Sequence, residues 1–469
     1  MASFKPPVSP VSYIRIIAIA FIVIGACSKK NEEFNTQVFA AAGNDSNVLV
    51  GETVTLNGNG SSDLQGNALE YSWQFVSKPA SSIAGLVSNT TATPTFIPDI
   101  QGKYRIELIV SNSDEDRDTV TVSAFEVNLV EGNYENLIPG PNVGIRDFAV
   151  ANNYLIATCE FTEIGGIEAR KIARYNGSVW SALGCGLEEG SIYEMLEYKG
   201  ELYVTGQFEE IGCIQATNIA RWSNESNSWL DVSGGLTGGD NPFGFTLAVY
   251  NDELYVGGQF EKAGDISAHN ISRWNGTDWS AVGALEGGSV RELVVYKQKL
   301  FAGGFFTIAN GINTGNIASY DGNNWTALGS LNELELKATG VVRHMAVYKD
   351  ELYISGNFST SNGEISELIT WDGSSFSDFG KAFSLYQNSI SELVAINDIL
   401  YIGGSFRNVV GSQANNVLQW DGESWGIMSE GTSGSVLSAI WFNNKIYIGG
   451  EFDVAGGNNA ENISIWTEN

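Results

Sequence analysis

One heptapeptide recurs along the C-terminal three-quarters of the chain and dictates what that part can fold into. Leu254-Tyr255-Val256-Gly257-Gly258-Gln259-Phe260 returns at 202–208, 300–306, 352–358, 400–406 and 446–452, with a degraded copy at 155–161. The closing phenylalanines, from Phe161 to Phe452, lie 46 to 52 residues apart. A second aromatic follows 13 or 14 residues later, as at Trp222, Trp274 and Trp420. Asn-Gly or Asp-Gly usually comes next, then a third aromatic such as Trp229, Trp279 or Trp425, then an apolar run such as 292–296. Each period therefore spells four short strands. A lone four-stranded sheet cannot cover both its faces, but sheets stacked face to face bury a shared aromatic layer. Asn-Gly and Asp-Gly supply the positive φ angles of tight hairpins. The Gly-Gly pair fits an innermost strand that approaches its neighbours closely. Residues 129–469 are accordingly expected to form a seven-bladed β-propeller. The last copy stops at Trp466 with two strands, so 132–138 and 146–151 read as its third and fourth, a two-plus-two closure that hides open edges.

The short hairpins and the long connections should lie on opposite faces of such a disc, and the long-loop face is the one able to hold a partner. Its most unusual insertions are 234–245 and 330–340. In the first, Asp240, Asn241, Phe243 and Phe245 are the candidate ligand-binding residues: the phenylalanines either stack on a sugar or partner, or cover the edge of the sheet. Cys185 and Cys213 fall in long loops of adjacent blades, where an oxidising envelope would allow a disulfide and a reducing one two free thiols. Cys159 replaces a strand glycine and reads as a buried, inert thiol.

Ahead of the repeats, strand-like runs at 48–50, 52–56, 69–75, 94–97, 103–111 and 119–127 alternate with Gly/Asn/Asp turns. This spacing argues for a small antiparallel sandwich over 38–128. Tyr104, Ile106, Leu108 and Val110 alternate with polar neighbours, and Trp73 sits mid-strand as core anchor. The chain is thus expected to be all-β: an Ig-like sandwich followed by the propeller.

Three resemblances extend this reading. Ala42-Gly43-Asn44-Asp45, Gly51-Glu52-Thr53-Val54-Thr55-Leu56, Gly60-Ser61-Ser62-Asp63, Leu69-Glu70-Tyr71-Ser72-Trp73 and Gly102-Lys103-Tyr104 resemble a PKD-type domain in the variant shared with REJ modules. That likeness implies a spacer or adhesion unit. Leu64-Gln65-Gly66-Asn67-Ala68 departs from the acidic pattern of such domains, which weakens any calcium site there. The repeat resembles the LYVGG-type propeller repeat of many bacterial secreted proteins, is similar to that of fungal cortical polarity markers, and more distantly to kelch repeats. At the N-terminus, Lys5 and Arg15 precede an apolar run, 16–24, too short for a span of about 20 residues. Ile24-Gly25-Ala26-Cys27 resembles the bacterial lipobox, which implies a signal peptide over 1–26 and lipidation of Cys27. The tether 27–37, with Ser28-Lys29-Lys30-Asn31-Glu32-Glu33-Phe34, loosely resembles the acidic export signal of Bacteroidetes surface lipoproteins. Together these imply a protein lipid-anchored at the outer membrane or cell surface.

Lys+Arg is 25 against 54 Asp+Glu, a formal charge of −29, which excludes a nucleic-acid binder. Of the two histidines, His269 falls in a long loop and His344 near an apolar strand, each isolated. Ser319-Tyr320-Asp321-Gly322-Asn323-Asn324-Trp325 resembles a sialidase Asp-box with a spacer one residue short, and reads as a hairpin. No HExxH, GxSxG, P-loop or CxxC is present, and no arginine cluster recurs at matching blade positions. Glu188-Glu189 and Asp240 offer either calcium ligands or solvated charge; no cofactor is expected and the metal question stays open. The expected function is non-catalytic presentation of a propeller for protein or glycan binding. The alternative is a carbohydrate-active lyase or glycosidase using carboxylates on the long-loop face.

Overall fold

The computed structural model describes residues 38–328, 341–359, 365–379, 389–409 and 414–468. The expected signal peptide, Cys27, the tether and the 330–340 insertion lie outside the described residues. Every regular element described is a strand.

The N-terminal unit is the expected sandwich. Ser46–Leu49, Glu115–Phe125, Gly102–Ser111 and Glu70–Ser77 form one sheet in that order. Val54–Thr55 pairs with Thr95–Phe96 across the core. Tyr104, Ile106, Leu108 and Val110 are fully buried along one face. Trp73 is buried beside them and its indole N–H donates to the Thr91 carbonyl at 3.0 Å. Asp63 accepts the N–H groups of Gln65 and Asn67 at 2.8 and 3.0 Å, so its carboxylate is used to fold the loop that departs from the acidic PKD pattern.

Seven sheets follow, all built alike. Their first strands are Asp147–Ala151, Ser191–Tyr198, Phe243–Tyr250, Val290–Tyr296, Val342–Tyr348, Ser389–Ile396 and Val436–Phe442. Each contacts the next, and the last contacts the first, so these strands line the axis of a closed ring. The Gly-Gly strand is therefore the second from the axis, not the innermost as its glycines led us to expect. Those glycines are needed there for another reason: a Cβ at Gly257 would overlap Val290 of the next blade, and one at Gly403 would overlap Val436.

Blade seven corrects the expected closure. Gly132–Asn136 pairs with Ile463–Glu468 as the outermost strand, but Asp147–Ala151 pairs with Tyr154–Thr158 as the innermost strand of blade one. Closure is three-plus-one. One N-terminal strand completes a sheet whose other three strands come from the C-terminal end, and its register brings Tyr134 opposite Trp466.

The same aromatic pair links the third and fourth strands of every blade. Ring centroids are 5.0 Å apart for Tyr175–Trp180, 5.4 Å for Trp222–Trp229, 5.2 Å for Trp274–Trp279 and 5.1 Å for Tyr320–Trp325. They are 4.5 Å apart for Trp371–Phe376, 4.8 Å for Trp420–Trp425 and 4.8 Å for Tyr134–Trp466. Hydrogen bonds tie each blade to its neighbours. The indoles of Trp229, Trp279 and Trp325 donate to Leu183, Val232 and Val282 carbonyls of the preceding blade's connection. Tyr198, Tyr250, Tyr296 and Tyr348 donate from the other face to the next blade's hairpin turn.

The sandwich is fastened to the disc. Val127–Val130 runs parallel to Trp425–Met428 as a fifth strand of blade six, so the expected boundary after residue 128 falls inside a strand. Phe125 meets Trp420 edge-on at 4.9 Å, and the Gln101 amide donates to the Glu423 carbonyl at 2.9 Å.

Tyr134 alone closes the aromatic layer from the N-terminal side. Tyr134→Ala should cost about 3–5 kcal/mol, the range for deleting a large buried aromatic, and so lower the unfolding midpoint of the whole ring in urea. An unchanged midpoint would show that the ring holds without this strand.

Candidate binding site at the channel mouth

Six of the seven innermost strands carry a bulge near their start. The register slips between Ile192 and Glu194, Gly244 and Thr246, Val290 and Glu292, Val342 and His344, Ile390 and Glu392, and Val436 and Ser438. The second glycine of the repeat permits it, since a Cβ at Gly258 or Gly404 would collide with the carbonyl oxygen of Phe243 or Ser389 on the bulged strand. Blade one has Cys159 in that place, and its innermost strand starts at Asp147 with no bulge. Cys159 is half-buried, and burial raises its thiol pKa, in line with an inert thiol.

The bulges put two matched residues per blade at the long-loop end of the axis. The lower set, just past the bulge, is Asp147, Glu194, Thr246, Glu292, His344, Glu392 and Ser438. Most of these hold the ring together. The Ser438 hydroxyl accepts from Phe148 N–H at 3.2 Å, Asp147 from Met195 N–H at 2.9 Å, Glu194 from Leu247 N–H at 3.1 Å, and Thr246 from Leu293 N–H at 3.1 Å. Glu392 accepts from Ala439 N–H in the same way. Each of these five thus takes a backbone donor of the following blade. The belt changes at blades four and five: Glu292 instead faces His344, with Oε2 3.7 Å from Nδ1.

Crowding four carboxyls around one axis moves their titration. Burial pushes Asp147 up to about 7, although its backbone hydrogen bonds act the other way. Burial, helped by the charge of Asp147, pushes Glu194 up to about 8. Glu292 and Glu392 are raised well above the carboxylate range, first by burial and then by the other carboxylates. His344 is held down to about 4 by burial and by Arg343 and Arg291. At 3.7 Å the Glu292–His344 contact is too long for a hydrogen bond. The two side chains are 33% and 21% exposed, and burial disfavours the charged form of each.

The upper set is Arg146, Tyr193, Phe245, Arg291, Arg343, Ser391 and Leu437. Arginines do recur at matching blade positions, contrary to the expectation from the sequence. They and the aromatics form one arc. The Arg146 guanidinium lies 5.5 Å from the Tyr193 ring, Tyr193 lies 5.2 Å from Phe245, and Phe245 lies 4.2 Å from the Arg291 guanidinium. Phe305, itself 42% exposed, covers Arg291 at 5.1 Å. Phe243 closes the cluster at 6.0 Å from Tyr193. Arg291 Nε is buried without a partner, and burial and Arg343 both lower the Arg291 pKa. Among the described residues none of the three arginines forms an ion pair; Arg343 donates one hydrogen bond, to the Ser389 hydroxyl at 3.1 Å. Glu367 Oε2 is likewise without a hydrogen bond; burial raises this carboxyl to about 7, against the charge of Arg343, which lowers it.

The structure thus brings Phe243 and Phe245 into the mouth. Asp240 and Asn241 stand in the adjoining exposed loop, where they serve it structurally: the Asp240 carbonyl accepts from Gln259 and the Asn241 side chain from Gln207. Arg146, Tyr193, Arg291, Arg343, Glu292 and His344 were missed. Their signal lay in aligning the residues just before each inner apolar run, such as Arg291-Glu292-Leu293 with Arg343-His344-Met345.

Two grooves open on the same face. One is lined by Asp240, Glu261, His269 and Glu286, the other by Glu188, Glu189, Cys185 and Cys213. The two cysteines are exposed, free thiols whose side chains interact with one another. Among the described residues no three His, Cys, Asp or Glu side chains converge as a metal site.

Residues 42–124 match the family model of a PKD domain, and residues 244–397 match that of the Rax2 C-terminal beta propeller domain. No curated protein matches the chain. Among solved structures, the extracellular domain of a one-component system of B. thetaiotaomicron is 10% identical over 72% of this chain and 40% of its own, with a TM-score of 0.47. That of a hybrid two-component system of the same organism is 8% identical over 82% of this chain and 44% of its own, with a TM-score of 0.46. The PKD domain of the KIAA 1837 protein is 22% identical over 20% of this chain and 91% of its own, with a TM-score of 0.17. This chain therefore spans less than half of either bacterial protein.

A carboxyl whose folded pKa exceeds its unfolded value stabilises the fold below the unfolded pKa and loses that contribution as pH rises through the folded one. For Asp147 and Glu194 this window runs from the ordinary carboxylate range to about 7 and about 8. His344, held at about 4, acts oppositely, but only below the ordinary imidazole range. Melting temperature should therefore rise on going from about pH 8.5 to about pH 6.5, and Glu194→Gln with Glu292→Gln should flatten that rise in calorimetry.

Proposed function

We propose that the chain is a non-catalytic, lipid-anchored cell-surface protein that offers the mouth of its propeller channel to a glycan or protein ligand, with the PKD domain as its mount. One observation carries the binding reading. In a chain of charge −29, three arginines meet at one mouth, two of them against aromatic rings and none in an ion pair among the described residues. Arginines elsewhere on the blades do pair with carboxylates, as Arg273 does with Glu253 at 3.0 Å. Aromatic platforms with unspent donors are what a concave binding site needs. Anchoring rests on the likeness of Ile24-Gly25-Ala26-Cys27 to a lipobox.

A glycan and protein array probed with the full chain should yield a ligand. Phe243→Ala with Phe245→Ala should weaken it at least tenfold, roughly 1.4 kcal/mol, without lowering the melting temperature. Binding indifferent to both changes would move the site elsewhere. Cys27→Ser should shift the protein from the membrane to the soluble fraction; a protein that stays with the membrane would refute the anchor.

The second reading is a carbohydrate-active enzyme, favoured by the Glu292–His344 pair. A carboxyl whose pKa is raised, 3.7 Å from an imidazole whose pKa is lowered, has the makings of an acid–base couple. Turnover of a polysaccharide that disappears in Glu292→Gln while binding persists would establish it.

A further inference from the structure

We propose that the ligand is an acidic oligosaccharide, its carboxylates taken by Arg146 on one side and by Arg291 and Arg343 on the other, with a sugar ring lying on Tyr193 and Phe245 between them. This rests on the binding reading above and names its chemistry.

The order of residues around the mouth carries the assignment. Blade one supplies a cation, blades two and three supply aromatic rings, and blades four and five supply cations. Charge, apolar platform and charge follow in one arc, at spacings of 5.5, 5.2 and 4.2 Å. A sugar presents apolar C–H faces to aromatic rings, and a uronate adds a carboxylate at its edge, so the arc matches a short acidic saccharide in both respects. A dense polyanion is a poor match, because a chain of charge −29 repels it and three arginines neutralise little of it.

The arginines are prepared for a planar acid. Phe245 and Phe305 both pack against the Arg291 guanidinium, so its orientation is set before any ligand arrives. Its Nε is buried without a partner. Arg146 likewise has aromatic contact with Tyr193 and no ion pair among the described residues. A carboxylate satisfies such a fork with two parallel hydrogen bonds. Below the arginines, burial and mutual repulsion raise the carboxyls of the lower ring, which weakens their opposition to an incoming anion.

Calorimetric titration of the full chain with a trimeric oligogalacturonate, its methyl ester and a sulfated oligosaccharide of the same length decides the matter. We expect the free acid to bind and to weaken as salt is raised, with the ester and the sulfated probe each at least tenfold weaker. Arg291→Gln and Arg146→Gln should each reduce acid binding at least tenfold. Arg291→Lys, which keeps charge and bulk but loses the planar fork, should also weaken it and guards against a folding defect in the glutamine variant. Equal binding of acid and ester, indifference to the arginine variants, preference for the sulfated probe, or equal capture of poly-glutamate would each overturn the assignment. A ligand lost in Phe243→Ala with Phe245→Ala but unmoved by the arginine variants would overturn the acidic chemistry and leave the binding site standing.

Discussion

The stacked aromatic pair between the third and fourth strand of each blade is the contact on which the remainder depends. A blade's outer strands are short, three or four residues in most copies, as in Trp180–Ala182 and Trp279–Ala281. Backbone bonds over so few residues hold a strand weakly. The buried ring pair supplies the missing adhesion, and in blades two, three and four an indole N–H bond then fastens the outer strand to the blade before it. The ring closes because Tyr134 reproduces this pair with Trp466 across 332 residues of sequence separation, with its hydroxyl donating to the Met428 carbonyl of blade six.

A scaffold so repetitive must break its own symmetry to recognise anything. Here the break is confined to two positions per blade. The bulge at the start of each inner strand is the same in six copies, and the glycine that permits it is part of the repeat. The bulge fixes where two side chains go without constraining what they are. The lower residue is mostly used to hold the next blade's backbone. The upper residue has no such duty, and this is where the chain places Arg, Tyr and Phe.

This division explains what could be read from the sequence. The period, the aromatic pairs, the hairpins and the long-loop face all follow from residues that every blade needs, so they recur visibly. The sandwich strands and the buried run from Tyr104 to Val110 were legible for the same reason, through alternation. Closure was misread because the repeat was phased on the glycine strand, one strand out from the axis; with that origin Asp147–Ala151 seemed to belong to the last blade. The arginines stayed hidden because Arg146, Arg291 and Arg343 are far apart in sequence and alternate with Tyr, Phe, Ser and Leu at the equivalent positions. Phe243 and Phe245 were found only because their loop is longer than its counterparts.

The break in the lower belt coincides with the strongest charge above it. Five lower residues each accept a backbone N–H of the next blade, which ties their identity to ring stability. Glu292 and His344 have no such bond among the described residues, and Arg291 and Arg343 stand directly before them in the chain. Were Glu292 ionised, the arginines would find a carboxylate below and the site would neutralise itself. Burial raises the Glu292 carboxyl and so disfavours that charge, which leaves the positive potential of the arginines pointing outward to the mouth. The same desolvation that makes the lower ring costly to ionise therefore keeps the upper ring available to an anion arriving from outside.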